Sequence, residues 1–224
     1  LTFNKKNIQG IYMKKTKVGK VNQEGNASFV AIYAKGFKPW ANNLELSEEQ
    51  QNTEVPIVLM LNRWDGRVGF IGGNVDNEES LIEAALRESK EEINLSNVNE
   101  SDLEPIVTHN FKAGSKTLST HLFVKEVSLE EFSKIQNEIP NSKEFGVEVM
   151  GSNKVLIGDF GRGKGFPNFL KSPMATSVRE ELVELILFKK LVSKDSLKKM
   201  CEVAGFNLND LLLKESNNSK SPTM

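Results

Sequence analysis

Two spacings of apolar residues alternate along this chain. In Asn26–Phe37 and again in Val55–Trp64 the apolar side chains fall on both faces of an extended segment, which predicts two buried strands. Asp65 and Gly66 then predict a tight turn, and residues 67–73 read as the hairpin partner. Further strands are expected as a pair within Glu104–Val127, joined at residues 113–114, and in residues 145–158.

Helical spacing marks the other segments. The apolar stripe between Glu79 and Ile93 recurs at three and four residues and predicts a helix that packs on the sheet; its members are Ile82, Ala85, Leu86, Ser89 and Ile93. Ser128–Ile139 reads as a helix capped by Ser128, and Ser172–Val192 as a long amphipathic one. Residues 44–54 suit a loop or short helix, and residues 196–213 add one or two more helices. The pattern predicts an α/β fold with a mixed sheet and helices on its faces.

The overall composition indicates the number of domains and excludes some classes of partner. The 224 residues suit one domain, which we place at residues 24–214, with polar segments at 1–23 and 215–224 expected to be disordered. Lys and Arg number 29 against 30 Asp and Glu, so no global basic field favours DNA as a partner. The single cysteine, Cys201, excludes an internal disulfide framework. No apolar run reaches the ~20 residues of a membrane span, so no membrane partner is expected.

Residues 72–95 carry an unusual density of acids. Glu88, Glu91 and Glu92 stand at helical positions i, i+3 and i+4 and therefore share one face. Like charges at these spacings cost roughly 0.2–0.5 kcal/mol per pair, which Arg87 can partly relieve. A solvated acidic face is one interpretation of this pattern. A site for a hard divalent cation is the other, since such cations prefer clustered oxygen ligands.

The spacing favours the second interpretation, because it resembles the Nudix box. The six matching positions are Gly73, Glu79, Arg87, Glu88, Glu91 and Glu92. Two positions depart from the box: Ser89 replaces an apolar residue and Asn94 replaces glycine. Asn94 can still adopt a left-handed helix end, and the Ser89 hydroxyl can bond the carbonyl four residues earlier.

The resemblance implies roles for the box residues. Glu88 and Glu92 would be the main ligands of Mg²⁺ or Mn²⁺, with Glu91 as a third ligand or a base that positions water. A backbone carbonyl of Gly72 or Gly73 would complete the metal site. Arg87 and Glu79 would orient the carboxylates without binding metal.

The flanking segments are similar to the animal small nucleolar RNA-decapping Nudix enzymes, which also hydrolyse inosine diphosphate. This similarity covers about Asn26 to Val192 and implies an α-β-α Nudix sandwich, a homodimer, and a nuclear location in nucleolus and nucleoplasm with the cytoplasm as a further one. It also implies further site residues: Arg63 and Phe70 at the nucleotide, His109 near the metals, and Phe29 and Glu181 at the base. Phe29 and Glu181 replace the His and Gln of the family, which leaves the base preference open.

The function implied is metal-dependent hydrolysis of a diphosphate linkage, with RNA 5′-caps and nucleoside or inosine diphosphates as substrates. An ADP-ribose or dinucleotide pyrophosphatase is an alternative within this class. An RNA-binding protein that keeps the fold without turnover is the alternative outside it. Basic residues for an RNA body are available at Lys14–Lys20, Arg162–Lys164 and Lys198–Lys199.

Overall fold

The computed structural model describes residues 14–16, 24–113 and 115–212. The predictions for the tail at 215–224 and for most of residues 1–23 lie outside these ranges, as does residue 114 of the predicted turn. Eight strands are present in the described residues: β1 Lys14–Thr16, β2 Asn26–Phe37, β3 Val55–Arg63, β4 Val68–Gly69, β5 Ile71–Asn74, β6 Glu104–Ala113, β7 Lys116–Glu126 and β8 Val149–Leu156. The helices there are α1 Glu48–Gln51, α2 Leu81–Ile93, α3 Leu129–Glu138, α4 Phe166–Phe169, α5 Val178–Phe188, α6 Lys194–Ala204 and α7 Leu208–Leu211, with short 3-10 turns at Glu100–Asp102 and Ile139–Asn141.

The strands form one mixed sheet, as predicted. Its order is β1-β6-β7-β2-β3-β4, with β5 paired to β2 and β8 paired to β3. β2 and β7 run parallel, whereas the other pairings are antiparallel. The turn at Asp65 and Gly66 joins β3 to β4, and Gly66 has the positive φ of 77° that such a turn requires.

Helices cover both faces of the sheet and give two separate cores. Successive residues of β2 alternate between them: Ala31 and Tyr33 face the core under α4 to α7, and Val30 and Ile32 face the core under α2 and α3. This alternation is why the strand is apolar at every position from Phe29 to Ala34. The arrangement confirms the α/β fold with helices on each side of a mixed sheet. Among the described residues, no helix has the length and apolar character needed to cross a membrane.

The helix of the acidic stretch begins later than predicted. Ser80 caps α2 through a reciprocal capping box with Glu83, so Glu79 lies in the preceding loop. Asn94 ends the helix in the left-handed conformation, and Ser89 bonds the carbonyl of Ala85 at 2.7 Å. Both substitutions relative to the Nudix box are therefore accommodated locally, as expected.

The predicted helix at Ser172–Val192 is wrong at both ends. α5 occupies only Val178–Phe188, because the residues before it are extended and pair with β4. The Val68 amide donates to the carbonyl of Pro173, and the Ala175 amide donates to that of Val68. This short bridge fixes the approach to Ser177, the N-cap residue of α5.

Candidate active site

An acidic cavity lies where β5 meets α2. It encloses about 290 Å³, and its wall is formed by residues from β2, β3, β5, α2 and the segment before β8. Those residues are Ala27, Phe29, Arg63, Gly72, Gly73, Asn74, Asp76, Arg87, Glu88 and Glu148. The cavity is therefore lined both by residues of the Nudix box and by residues that lie far from the box in sequence.

Arg87 holds three carboxylates at this cavity. Its Nε donates to Glu79 at 2.9 Å, and its Nη1 donates to Glu88 at 2.8 Å and to Glu91 at 3.1 Å. Nη2 donates to the backbone carbonyl of Asn74 at 2.9 Å, which ties the helix to the end of β5. The fork of a guanidinium suits this task because it presents several donors in one plane. Arg87 thus links Glu79, Glu88 and Glu91 to one another and to the end of β5.

Glu92 lies inward of this ion-pair network. It is only 4% exposed, and its Oε2 accepts a hydrogen bond from the Gly72 amide at 2.7 Å. Burial, together with the negative charges of Glu88 and Glu148, raises the pKa of Glu92 to about 8, although the Gly72 amide opposes the shift. Burial also raises the pKa of Glu88, against the opposing effect of Arg87. Burial thus disfavours the charged carboxylate at both positions more than the neighbouring donors favour it.

Glu91 faces outward and is in a different electrostatic setting. Lys143 contacts its Oε1, and Arg87 donates to its Oε2. The hydrogen bond from Lys143 and then that from Arg87 lower the pKa of Glu91, so this carboxylate stays ionised at neutral pH. Glu88 and Glu91 thus stand side by side with opposite pKa shifts, a difference typical of sites that handle protons.

Two close backbone approaches explain why Gly72 and Gly73 precede α2. A Cβ on Gly72 would lie 2.2 Å from the carbonyl oxygen of Ser28, and the residue has a φ of 139°. A Cβ on Gly73 would lie 2.6 Å from the Oε1 atom of Glu88. Any side chain at Gly73 would therefore displace the carboxylate from the cavity. Only glycine allows the strand to approach both β2 and the acids so closely.

A second, more apolar cavity adjoins the first. It encloses about 360 Å³ and shares Ala27, Phe29, Arg63 and Asn74 with the acidic cavity. Its remaining lining includes Phe70, Phe111 and Leu118 among apolar residues, and Asn26, Thr120 and Ser177 among polar ones. A concave apolar site with a few polar groups is the usual form of a small-ligand pocket. The joined cavities offer one apolar compartment and one charged compartment, with Arg63 between them.

The predicted substrate residues separate into two groups. Phe29, Arg63 and Phe70 all line the apolar cavity, although Phe70 is also part of the core and is only 2% exposed. Glu181 and His109 line neither cavity and are fully buried, with Glu181 Oε1 3.8 Å from His109 Nδ1. The structure therefore places His109 beside Glu181 and not among the acids of α2.

Glu181 lies behind the wall of the apolar cavity. Thr120 and Ser177, which line that wall, donate to its Oε1 at 2.6 and 2.9 Å. Burial raises the pKa of Glu181 to about 7, although these two hydrogen bonds oppose the rise. In this arrangement Glu181 orients two hydroxyl groups of the cavity wall.

His121 is a buried residue of β7. Its Nε2 lies 3.1 Å from Asn26 Oδ1, and its Nδ1 lies 2.8 Å from Thr108 Oγ1. The amide oxygen of Asn26 can only accept, so Nε2 carries the proton and Nδ1 accepts from Thr108. Burial lowers the pKa of His121 to about 4, which keeps the ring neutral. The ring thereby fixes the Asn26 side chain at the cavity wall.

Sequence reasoning did not identify Glu148 or Lys143. Glu148 lines the acidic cavity, and Lys143 contacts Glu91, yet both come from the segment between α3 and β8. Their signal in the sequence is weak, since no fixed spacing relates this segment to the box. The contact arises because the Glu144 amide donates to the carbonyl of Glu91, which docks the segment against the end of α2.

Glu88 lines the acidic cavity, and Glu92, which accepts from the lining residue Gly72, lies buried behind it; these donors fit a hard divalent cation in their chemistry. Glu88 and Glu92 supply carboxylate oxygens in surroundings that disfavour their charged forms, a cost that a bound cation would offset. Within the described ranges, however, no three His, Cys, Asp or Glu side chains are already arranged to hold an ion. Arg87 and Lys143 contact the outer carboxylates, so an ion at Glu88 or Glu91 would share these carboxylates with them.

Comparison with known sequences decides the family. Residues 27–192 match the family described as "Nudt16-like: U8 snoRNA-decapping enzyme-like". The chain belongs to this Nudt16-like family. The match covers every residue discussed at the two cavities except Asn26, which lies just before it.

Two relatives of this Nudt16-like chain are both named U8 snoRNA-decapping enzyme. The one from Homalodisca vitripennis is 40% identical over 119 residues, which are 52% of this chain and 63% of the relative. The one from Xenopus laevis is 31% identical over 154 residues, which are 66% of this chain and 71% of the relative. The chain thus spans less than two thirds of the insect relative's own length.

Solved structures similar to this Nudt16-like chain include a mutT/nudix family protein from Listeria innocua. The two have 16% sequence identity and a TM-score of 0.49, over 76% of this chain and 96% of that one.

Proposed function

We propose that this chain is a Nudix hydrolase that cleaves a diphosphate linkage in a nucleotide, with RNA 5′-caps as its main substrates and nucleoside diphosphates, including inosine diphosphate, as further ones. The observation that carries this proposal is the pair of joined cavities. A nucleoside suits the apolar cavity of about 360 Å³, and the attached phosphates then lie in the acidic cavity beside Glu88. Membership of the Nudt16-like family and the names of the relatives support the same reaction class.

Phosphates and carboxylates repel each other, so an anionic substrate needs positive charge at the acidic cavity. Nudix hydrolases generally use divalent metals, and we propose Mg²⁺ or Mn²⁺ held by Glu88 and Glu92, with Glu91 and a Gly72 backbone oxygen as further ligands. A bound cation supplies charge that polarises a phosphoryl oxygen and favours hydroxide. Arg63, at the junction of the cavities, is placed to contact a phosphate with its fork of donors.

The chain's own residues orient the reaction. Glu91 is kept ionised by Lys143 and Arg87, so it can accept a hydrogen bond from the attacking water and aim that water at phosphorus. The Gly72 amide holds one oxygen of Glu92 in place, and Arg87 keeps Glu88 at the cavity wall. Phe29, which lines both cavities, can pack against the nucleoside and fix its position relative to the phosphates.

A substrate panel tests this proposal. Capped RNA, the diphosphates of inosine, guanosine and adenosine, ADP-ribose and a dinucleoside polyphosphate are each incubated with the protein and Mg²⁺ or Mn²⁺. We expect turnover of capped RNA and of at least one nucleoside diphosphate. Hydrolysis of ADP-ribose or the dinucleotide alone would support the pyrophosphatase alternative, and turnover of no substrate would end the enzyme proposal.

The same panel with Glu181→Gln addresses the base preference. Glu181 lies behind Thr120 and Ser177, and we expect the variant to keep the order of preference among the three nucleoside diphosphates. A shift of the variant toward inosine diphosphate would show instead that this side chain reaches the base.

A second candidate is an RNA-binding protein of the same fold without turnover. The observation that favours it is that the acids already have protein partners: Arg87 donates to Glu88 and Glu91, and Lys143 contacts Glu91. Salt-dependent binding of capped RNA with no product in any metal would support this candidate.

Assembly and location complete the proposal. We propose a homodimer, as the resemblance to the RNA-decapping Nudix enzymes implies. We also propose a location in the nucleus, both nucleolus and nucleoplasm, because relatives are named for a small nucleolar RNA, with the cytoplasm as a further location. Light scattering of the purified protein and imaging of the tagged chain in cells test these two points.

A further inference from the structure

Exposed apolar side chains concentrate at one edge of the acidic cavity. The described residues contain eight large apolar side chains that are exposed, and four of them come from residues 64 and 145–150. Those four are Trp64 at 64%, Phe145 at 39%, Val147 at 63% and Met150 at 47% exposure. A clustered apolar surface of this kind, and a tryptophan above all, is unusual on a protein surface without a ligand.

Backbone contacts join these segments to each other and to the cavity. The Trp64 amide donates to the carbonyl of Glu148 at 3.0 Å, and Arg63 pairs with Val149 across the sheet. Arg63 and Glu148 both line the acidic cavity. Trp64 therefore lies one residue from a wall of that cavity and is hydrogen-bonded to a second wall residue.

The position of Glu148 indicates on which side a long substrate leaves the cavities. Glu148 lines the acidic cavity but not the apolar one, whereas Phe29 lines both. Among the residues that line only the acidic cavity, Glu148 is the one hydrogen-bonded to Trp64, so a substrate with its nucleoside in the apolar cavity and its phosphates in the acidic cavity can leave the site on this side. The next group of such a substrate would meet Trp64.

The chemistry around Trp64 suits a nucleotide. Arg67 is exposed three residues further along the chain, and Lys143 is 68% exposed in the facing segment. Two of the neighbouring acids are held in ion pairs, Asp65 with Arg63 at 3.6 Å and Glu144 with Lys143 at 3.4 Å, whereas the third, Glu148, lines the acidic cavity. An exposed indole beside cations is the usual platform for single-stranded nucleic acid, because bases stack on the ring while phosphates meet the positive charges.

We infer that Trp64 is a stacking subsite for the first nucleotides of an RNA chain whose 5′ phosphates lie in the acidic cavity. This inference rests on the proposed function and extends it, since a free nucleoside diphosphate does not reach Trp64. It accounts for how one active site can hold both an RNA end and a free nucleotide.

The test separates RNA from free nucleotide. Capped RNA of about ten nucleotides and a nucleoside diphosphate are compared as substrates of wild type, Trp64→Ala, Trp64→Phe and the control Phe188→Ala, which removes an exposed aromatic ring from the end of α5. Loss of one stacked base corresponds to roughly five- to 150-fold in affinity. We expect Trp64→Ala to raise KM for the RNA by that amount, Trp64→Phe to restore most of the loss, and kcat/KM for the nucleoside diphosphate to change less than twofold.

Three kinetic results would overturn the inference. They are an unchanged KM for RNA in Trp64→Ala, an equal loss on both substrates, and an equal loss in Phe188→Ala. A change of oligomeric state in Trp64→Ala, measured by light scattering, would assign the surface to a second copy of the chain and would also overturn it.

A binding measurement distinguishes this inference from the proposed function. Affinity for an uncapped RNA with a 5′ diphosphate is measured for wild type and Trp64→Ala without any need for turnover. If wild type binds this RNA through Trp64 but hydrolyses no substrate, the proposed function fails and the stacking subsite stands. If wild type hydrolyses capped RNA and Trp64→Ala binds the uncapped RNA normally, the subsite fails and the function stands.

Discussion

Removal of Arg87 should leave the acids of the cluster to repel each other and so destabilise the protein. In the structure this side chain donates to Glu79, Glu88 and Glu91 and to the carbonyl of Asn74. A hydrogen bond to a charged group contributes about 1.5–3 kcal/mol, and breaking a buried ion pair costs about 3–5 kcal/mol. Because the Arg87 side chain is 31% exposed, solvent screening reduces these values. We therefore expect Arg87→Ala to lower the free energy of unfolding by about 2–4 kcal/mol in metal-free buffer.

Thermal and urea unfolding measure this loss. For a chain of this size it corresponds to a fall in Tm of roughly 4–16 °C. Adding Glu79→Gln to Arg87→Ala removes one of the repelling charges and should restore part of the stability. Mg²⁺ should restore part of it as well, because an ion that binds the folded acids stabilises that state.

The control is Arg67→Ala, which removes an exposed arginine and should cost less than about 0.5 kcal/mol. A loss in Arg87→Ala no greater than in this control would refute the bracing role. So would a double variant that is less stable than Arg87→Ala itself, because that result would show that Glu79 does not repel its neighbours.

Three further predictions follow from the same geometry. Gly72→Ala should cost at least about 2 kcal/mol in urea unfolding, because its Cβ would lie 2.2 Å from the Ser28 carbonyl; a smaller cost would contradict this close approach. As pH falls from 6.5 toward 4, the free energy of unfolding of wild type should fall by up to about 3 kcal/mol relative to that of His121→Gln. The reason is that the folded state holds the His121 pKa near 4 and therefore binds fewer protons than the unfolded chain in this range. Curves of unfolding free energy against pH that run parallel for the two proteins would contradict this prediction. Phe29→Ala should raise KM for a nucleoside diphosphate about fivefold or more in steady-state kinetics, since the ring lines both cavities, and an unchanged KM would argue against its contact with the nucleoside.

Much of this fold could be predicted because its signals are local. β2 has the bounds expected from its apolar run, and the turn at Gly66 follows from residues that favour it. The acidic face of α2 follows from helical spacing alone. The same spacing could not show that Glu79 lies before the helix. The helix starts after Ser80, because the Ser80 side chain accepts a hydrogen bond from the Glu83 amide and so caps it.

The parts that could not be predicted depend on contacts distant in sequence. Glu148 reaches the acidic cavity because Trp64 and Glu144 dock its segment through backbone hydrogen bonds, which no spacing encodes. The start of α5 was misplaced because the preceding residues pair with β4, a tertiary contact that overrides helical pattern. Glu181 was expected at the base on the resemblance to the family, whereas the structure places it behind Thr120.

The most direct test of the account is the activity of Glu92→Gln with capped RNA and a nucleoside diphosphate, in Mg²⁺ or Mn²⁺. The matched control is Glu130→Gln, which neutralises an exposed acid of α3. We predict that wild type and the control release product, and that Glu92→Gln loses at least about 100-fold in kcat while it keeps its fold by circular dichroism. Full activity in Glu92→Gln, or no product from wild type on either substrate, would contradict the account.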